Sequence, residues 1–403
     1  ISSKSIDMKN FHEPQYLLFI ISFFYIILNN SKLKLFSEKL LNYFIIFIFI
    51  SIIMNFLKVY SLTGSVFSNT GIADIIDIVS SILISILILN LNLDKNEIFR
   101  VFKYFLFVSF FISIIGFIVS FFSIDLFNQA FLESVEGRIG SVNESNANNY
   151  GRFLMFPFIL SLSHLIVYIK RNKNIFSINF VFFVTSFIIF LVSIILTFSR
   201  TSYLSSSIAF LIVILFIGKT NAIYRFLFFI VSLFSIFQIL IIFNIFDAFQ
   251  YSERLNSFES SQARLLRYES GFNIMKSNPL FGVGPGYYKE KLFDNLIIGQ
   301  NSVYFNKYTA GSAHNAFLHL SIPYGILIGI MFILLPINIF LKLKAFNNRY
   351  VEDIDNLIII SGMSLMIGIL FHGITEVYPY RYMFFYYSLF LSYINFFKNE
   401  YSS

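Results

Sequence analysis

Long apolar runs separated by short polar breaks set the pattern of this chain. Residues 15–29, 40–57, 72–91, 102–124, 151–169, 178–198, 203–218, 226–246, 315–341, 356–373 and 381–397 each read as Phe-, Ile- and Leu-rich segments. Runs of roughly 15–25 apolar residues are about long enough to cross the hydrocarbon core of a bilayer as a helix. The pattern predicts an all-α polytopic membrane protein with about eleven transmembrane helices in this chain. Residue 1 is Ile rather than Met, so an N-terminal piece carrying a twelfth helix is expected to precede it. Helix lengths are irregular in both halves and no internal repeat is evident, which argues against an inverted-repeat transporter.

The polar breaks carry the topology. Lys32, Lys34 and Lys39 fall in one loop, Lys95, Arg100 and Lys103 flank another, and Lys170, Arg171 and Lys173 make a third. Lys219 with Arg225, and Lys342, Lys344 and Arg349, make a fourth and a fifth, and Lys398 lands on the same side. These loops alternate without exception, and lysine and arginine mark cytoplasmic loops. The short loops on the other side carry only Lys58, Arg138, Arg152, Arg200 and Arg381. The lysine- and arginine-bearing loops are therefore expected on the cytoplasmic side and the others on the outer side. Residues 1–246 form N-terminal transmembrane helices with an outer loop near 125–150. Residues 247–314 form one large outer loop subdomain, and residues 315–403 form C-terminal transmembrane helices.

Composition agrees and narrows the chemistry. Apolar residues make up 57% of the chain and charged residues 13%, against about 25% charged in soluble domains, and the mean hydropathy is +0.74. There is no Cys, which removes disulfides, thiolate catalysis and Cys-based metal sites. The net charge of +7 is spread through the loops, with no basic domain that would take nucleic acid.

The candidate chemistry gathers on the outer side. Arg264, Arg267 and Tyr268 stand at i, i+3 and i+4 and share one face of a predicted helix. Asn278-Pro279 and the glycines Gly282, Gly284 and Gly286 follow; glycines allow tight turns and close approach of backbone to a ligand. The spacing is not a dinucleotide fingerprint, because no βαβ unit surrounds it. The plainer alternative is an ordered loop with two surface arginines. His314-Asn315 closes the long loop and opens an apolar helix bearing Gly325 and Gly329. A helix N-terminus attracts anions, and a histidine there serves as base, acid or phosphate donor; a capping pair at the interface is the alternative. The Gly-x-x-x-Gly step lets another helix pack closely.

Arg200 sits between two apolar runs with almost no loop. A charge at that rim faces a cavity or snorkels to the interface. Arg138, Asn146 and Arg152 lie in an Asn-rich outer loop. His372, Glu376 and Arg381 cluster at the last outer turn, where structural ion pairing is the first reading. His319 and His164 read as structural, His164 with no obvious partner. Asp74 and Asp77 share an outer helix face. Asp353 and Asp355 have a metal-like spacing but fall in a cytoplasmic, solvated loop. None of these carboxylates reaches the ligand count of a metal site. Arginines gathered where they are normally scarce point to a multiply charged ligand such as phosphate or pyrophosphate.

In this order and on this one side, the motifs resemble the O-antigen ligase and O-antigen polymerase superfamily of bacterial polysaccharide assembly. The resemblance rests on Arg264, Tyr268, Pro279, Gly282, Gly284 and Gly286, then His314, Asn315, Gly325 and Gly329, with Arg200 and the Arg138-to-Asn146 segment upstream. Two departures stand out. Tyr268 stands where the family usually has Trp, and Ile328 stands where the ligases have a second small or aromatic residue.

The resemblance implies metal- and cofactor-independent transfer of a glycan from a polyprenyl diphosphate donor at the outer face of the bacterial cytoplasmic (inner) membrane, with residues 247–314 as a large periplasmic loop. In a ligase the acceptor is a lipid A–core sugar; in a polymerase it is another lipid-linked repeat unit. On this reading His314, Arg264 and Arg200 are catalytic. Arg267, Arg138, Asn146, Arg152, Tyr268, Asn315 and Arg381 bind substrate. The partners are the lipid-linked donor and acceptor, membrane lipids and a chain-length regulator. Polymerase is the leading expectation and ligase the alternative. A flippase for lipid-linked sugars is a further one, although it would place charges on both sides of the midplane.

Overall fold

A computed structural model describes residues 38–63, 69–122, 147–170, 177–197, 199–216, 258–287, 291, 313–347, 353–377 and 380–401. The expected spans at 15–29 and 226–246, the loop containing Arg138 and Asn146, and most of the 247–314 segment lie outside the described residues. The described residues form helices and connecting turns, with no strand among them. The helices are α1 (Lys39–Thr63), α2 (Asn69–Asn90), α3 (Lys95–Phe122), α4 (Ala147–Lys170), α5 (Ile178–Leu196) and α6 (Arg200–Phe216). They continue as α7 (Phe258–Ser277), α8 (Ala316–Tyr324), α9 (Ile326–Asn347), α10 (Asp353–Thr375) and α11 (Tyr380–Tyr401). Six contain stretches long and apolar enough to cross a membrane: Lys39–Leu57, Lys95–Ile118, Asn148–Ile169, Ile178–Leu196, Ile326–Asn347 and Asp353–Thr375. This is a multi-pass membrane protein.

The chain divides into two compact units. The first is built from Ile1–Asp94, Glu259–Asn338 and Gly373–Ser403, and the second from Lys95–Phe258 and Ile339–His372.

In the first unit, α2 and α11 form the main pairing and α8 packs on α1. Ser85 of α2 donates to the Phe384 carbonyl at 2.9 Å. Small hydroxyl residues at such seams let helices approach closely and bond across them. The outward face of α1 exposes Ile46, Phe49, Ile53 and Leu57, as a helix bathed in lipid should.

The expected continuous span 315–341 is broken. Gly325 takes φ +101 between α8 and α9, and a Cβ at this position would run into the Leu280 carbonyl. Breaking a helix at membrane depth frees backbone groups that must be satisfied by protein. The 278–287 turn does this. Val283 and Gly284 N–H groups donate to the Ile322 and Pro323 carbonyls at 2.9 and 3.1 Å, and Ile326 N–H donates to the Pro279 carbonyl at 2.8 Å. Buried Asn55 of α1 adds bonds to the Phe281 and Pro323 carbonyls at 2.7 and 3.3 Å. At Gly282 backbone meets backbone, because a Cβ there would strike the Ile322 carbonyl. Gly329 likewise packs against Phe317 and Ser321 of the preceding short helix, so the Gly325–Gly329 step serves a fold-back.

In the second unit α4 is the hub, contacting α3, α5 and α6. Most of α4 is buried, 72% of its apolar window against 28% for α3 and 22% for α5, which leaves the outer faces of α3 and α5 to lipid. Gly151 is required where α4 meets α6, because a Cβ there would collide with the Ser202 hydroxyl. The Asp353-x-Asp355 pair is not in a solvated loop as expected. It forms the first turn of α10, and fully buried Asp355 pairs with Lys95 at 3.9 Å. Charge in the first turn complements the helix dipole, and a buried carboxylate needs such a partner.

Candidate active site

Within the first unit the middle of α7, the approach to α8 and the end of α10 converge. Helix α7 presents Arg264 and Tyr268 on one face, as their four-residue spacing requires. Tyr268 packs against a small apolar core of Ile274, Met275, Ala313, Leu318 and Ile322, which anchors the polar end of α7. Its hydroxyl reaches the His314 carbonyl at 3.0 Å and the Ile374 carbonyl at 3.2 Å. Burial pushes the Tyr268 phenol up, opposed by the Arg264 charge and reinforced by Glu376, so it remains a donor at neutral pH.

Asn315 is the N-cap of α8. Its side-chain oxygen accepts from the Leu318 N–H at 3.0 Å, and its amide donates to the Ile374 carbonyl at 2.9 Å. The capping reading therefore holds for Asn315 but not for His314. The histidine backbone lies in the left-handed region at φ +49, which a non-glycine residue adopts at a cost. Its side chain is left to meet Glu376: His314 Nδ1 donates to Glu376 Oε1 at 2.8 Å.

Glu376 is the residue that sequence reasoning undervalued. It follows the last residue of α10 and is buried. Its other carboxylate oxygen faces Arg264 Nη2 at 3.7 Å, while Arg264 Nη1 donates to the Thr375 carbonyl at 3.2 Å. The Val377 N–H donates to Oε1 at 3.3 Å. Burial is the largest influence on the Glu376 carboxyl and raises it. The hydrogen bond and charge of His314, the Arg264 guanidinium and the Val377 N–H together outweigh it, and its pKa falls below the ordinary glutamate value. An ionised carboxylate accepts only, so Nδ1 carries the proton and the lone pair of the neutral imidazole sits on Nε2. The signal in the sequence was present, a Glu four residues after His372 near Arg381. The partners of Glu376 are His314 and Arg264, while His372 Nδ1 lies 3.4 Å from the Ser205 hydroxyl of α6.

The other expected site residues are placed as follows. Arg267 lies half-buried on α7, one turn from Arg264. Arg381 lies in the first turn of α11 with its guanidinium 5.5 Å from the Tyr382 ring centroid. Both belong to the first unit. Arg200 and Arg152 belong to the second. Arg200 opens α6 and is exposed. Arg152 is buried in α4 and donates to its own helix neighbour Asn149 at 2.8 Å, rather than lying in a loop. His319 stacks on Tyr380, ring centroids 5.8 Å apart, in keeping with its structural reading.

A histidine held by a buried carboxylate, next to an arginine and a tyrosine, is a constellation for moving a proton beside an anionic group. Residues 185–333, which contain Arg200, Arg264, Tyr268 and His314, match a family model described as O-antigen ligase. A search of curated proteins finds no match for the chain.

Proposed function

We propose that this chain, which carries a domain of the O-antigen ligase family over residues 185–333, is a polymerase. It joins polyprenyl-diphosphate-linked repeat units on the outer face of the cytoplasmic membrane. The carrying observation is the 2.8 Å bond from His314 Nδ1 to Glu376.

An acceptor sugar hydroxyl is a poor nucleophile and loses its proton during attack. His314 Nε2 takes that proton as the hydroxyl oxygen bonds to the anomeric carbon of the donor. The bond from that carbon to the phosphate oxygen breaks, and polyprenyl diphosphate leaves with the electron pair. Glu376 stabilises the imidazolium that forms. Arg264, supported by Arg267, meets the growing negative charge of the diphosphate with fixed donors. Asn315 and Arg381 are assigned to substrate binding. Direct displacement inverts the anomeric configuration. The work done elsewhere by a metal falls here to arginines. Residues 247–314 act as the outer subdomain that holds the donor.

The family description favours a second reading, a ligase that transfers the glycan to lipid A–core. The test is a reaction of purified protein with the native lipid-linked repeat unit in EDTA. A ladder of growing lipid-linked chains, lost in His314→Ala and Arg264→Ala, supports the polymerase. Transfer only after lipid A–core is added makes the chain a ligase. Movement of the lipid-linked unit between leaflets, with no product from either acceptor, overturns the enzyme reading. His314→Lys retaining substantial activity would remove the base assignment alone.

A further inference from the structure

Helix α7 is tied down at two places within the first unit. In its middle, Arg264 donates to the Thr375 carbonyl and Tyr268 to the Ile374 carbonyl. Just past its end, α1 holds the Asn278–Gly282 turn: Asn55 and Ser51 donate to the Phe281 carbonyl at 2.7 and 3.0 Å. Ile374 and Thr375 close the apolar span Asp353–Thr375, and Asn55 lies in the last turn of the span Lys39–Leu57. Both spans begin beside lysine-bearing loops, at Lys34 and Lys39 and at Lys342 and Lys344, so both end on the opposite, outer side. The Pro279 carbonyl also accepts from the N–H of Ile326, the first residue of the span Ile326–Asn347. From Arg264 to Asn278 the helix covers about 21 Å at its ordinary rise. A helix fixed at both places to the ends of spans at one bilayer edge runs along that edge.

One face of α7 is taken up by protein. Ile274 and Met275 join a core with Leu318 and Ile322, and a Cβ on Gly271 would meet Ile322 and Leu318 at 3.1 and 3.3 Å. The opposite face bears two large apolar side chains, Leu265 and Phe272, exposed by 64% and 42%. Standing seven residues apart, they form one stripe. Leu280, just beyond the helix, is 63% exposed, and its neighbours show what surrounds it. It borders a cavity of about 540 Å³ together with Met54 and Leu57, both exposed on α1 where that helix meets lipid. The lipid bathing α1 is therefore continuous with Leu280. Glu269 and Lys276 are exposed on the same side of α7 as the stripe. A head-group layer takes charged and apolar side chains together, and a lysine there reaches lipid phosphates.

We propose that α7 is an interfacial helix, lying in the outer head-group layer with Leu265, Phe272 and Leu280 inserted between lipids. Helices of this kind bury their apolar face about 5–10 Å into the boundary between head groups and acyl chains. Arg264, next to Leu265, is thereby held at the level of the lipid phosphates.

The chain contains no Trp, so a single introduced Trp is its only indole reporter. Phe272→Trp and Leu265→Trp place the indole on the stripe. Phe49→Trp, in the middle of the α1 span and exposed to lipid, is the deep standard. Each full-length variant, checked by far-UV circular dichroism, is placed in phosphatidylcholine nanodiscs whose acyl chains are brominated near the head group or near the chain end. The Phe272→Trp chain should lose more emission to the shallow bromines than to the deep ones, the reverse of Phe49→Trp. It should also lose less to iodide than free N-acetyltryptophanamide does. Leu265→Trp should behave as Phe272→Trp does, so the test stands where one of the two fails to fold. Iodide quenching equal to that of the free amide puts the face in water and overturns the proposal. Shielding from iodide with no quenching by either lipid puts protein over the face and overturns it too. Neither outcome depends on whether the chain polymerises glycans.

Discussion

Replacing Glu376 by Gln keeps the side-chain shape and an acceptor oxygen at the position that now receives His314 Nδ1 at 2.8 Å, and removes the charge. A hydrogen bond to a charged group contributes about 1.5–3 kcal/mol and a neutral one about 0.5–1.5, so the lost increment is about 1–2 kcal/mol. The loss falls when the imidazole is protonated, which under the proposed mechanism is in the transition state rather than in the bound ground state. At roughly 1.4 kcal/mol per factor of ten, kcat should fall about fivefold to thirtyfold, with the donor KM little changed. Arg264 loses a carboxylate 3.7 Å away but keeps its bond to the Thr375 carbonyl, which argues that donor binding survives. The assay is the initial rate of chain growth against concentration of lipid-linked donor, for wild type, Glu376→Gln and Glu376→Asp. A Glu376→Gln enzyme within twofold of wild type in kcat refutes the reasoning. A loss confined to KM would show instead that Glu376 acts by placing Arg264 on the donor.

Three further outcomes are expected. Because the folded-state pKa of Glu376 is depressed, its contribution to stability is present above the ordinary glutamate value and is lost as pH falls through the depressed one. The gap in Tm between wild type and Glu376→Gln should be open at pH 7 and close on acidification. The chain has no Trp and no Cys, so far-UV circular dichroism is the probe, and a gap unchanged at low pH would contradict the linkage. Gly325→Ala combines φ +101 with a Cβ driven onto the Leu280 carbonyl; at about 1–3 kcal/mol of strain Tm should drop by several degrees, and an unchanged Tm would remove the backbone argument. Tyr268→Phe deletes a donor bonded to two carbonyls and should lower kcat/KM about threefold to tenfold; full activity would show that the hydroxyl does not position His314.

Different parts of this molecule were legible to different degrees, for physical reasons. The apolar windows that became α3, α4, α5 and α10 were plain because a bilayer demands one length of one composition. The break at Gly325 was not, although Pro323 and Gly325 stand in the sequence. Whether a membrane helix breaks depends on distant groups that can satisfy the freed carbonyls, here the 278–287 turn and Asn55. Periodicity carries no trace of such partners. Arg264, Tyr268 and His314 were visible through spacing and sidedness. Glu376 stood in view but its pairing with His314 did not, because the carboxylate follows α10 while the histidine precedes α8. Only folding brings residues separated by 62 positions to hydrogen-bond distance. Gly282, Gly284 and Gly286 all take positive φ, as glycines in a tight turn should, and at Gly282 the close approach is to the Ile322–Pro323 backbone.

The backbone of His314 makes the strongest internal argument for the site. A residue just before an N-cap at φ +49 would be held at lower cost by glycine or asparagine. Two contacts from different elements fix the histidine there instead. Tyr268 of α7 holds its carbonyl, Glu376 after α10 holds its ring, and Asn315 caps the helix that follows. Capping alone needs only Asn315, and the apolar core beneath needs only Ala313, Leu318 and their neighbours. Neither requires an imidazole, and neither requires a buried carboxylate to orient one. Strain of this kind persists where the surroundings over-determine it, and such places are usually functional. What the arrangement yields is a ring nitrogen of fixed tautomer, one residue before the N-terminus of α8 and beside a guanidinium. That is what abstracting a proton next to a leaving diphosphate demands.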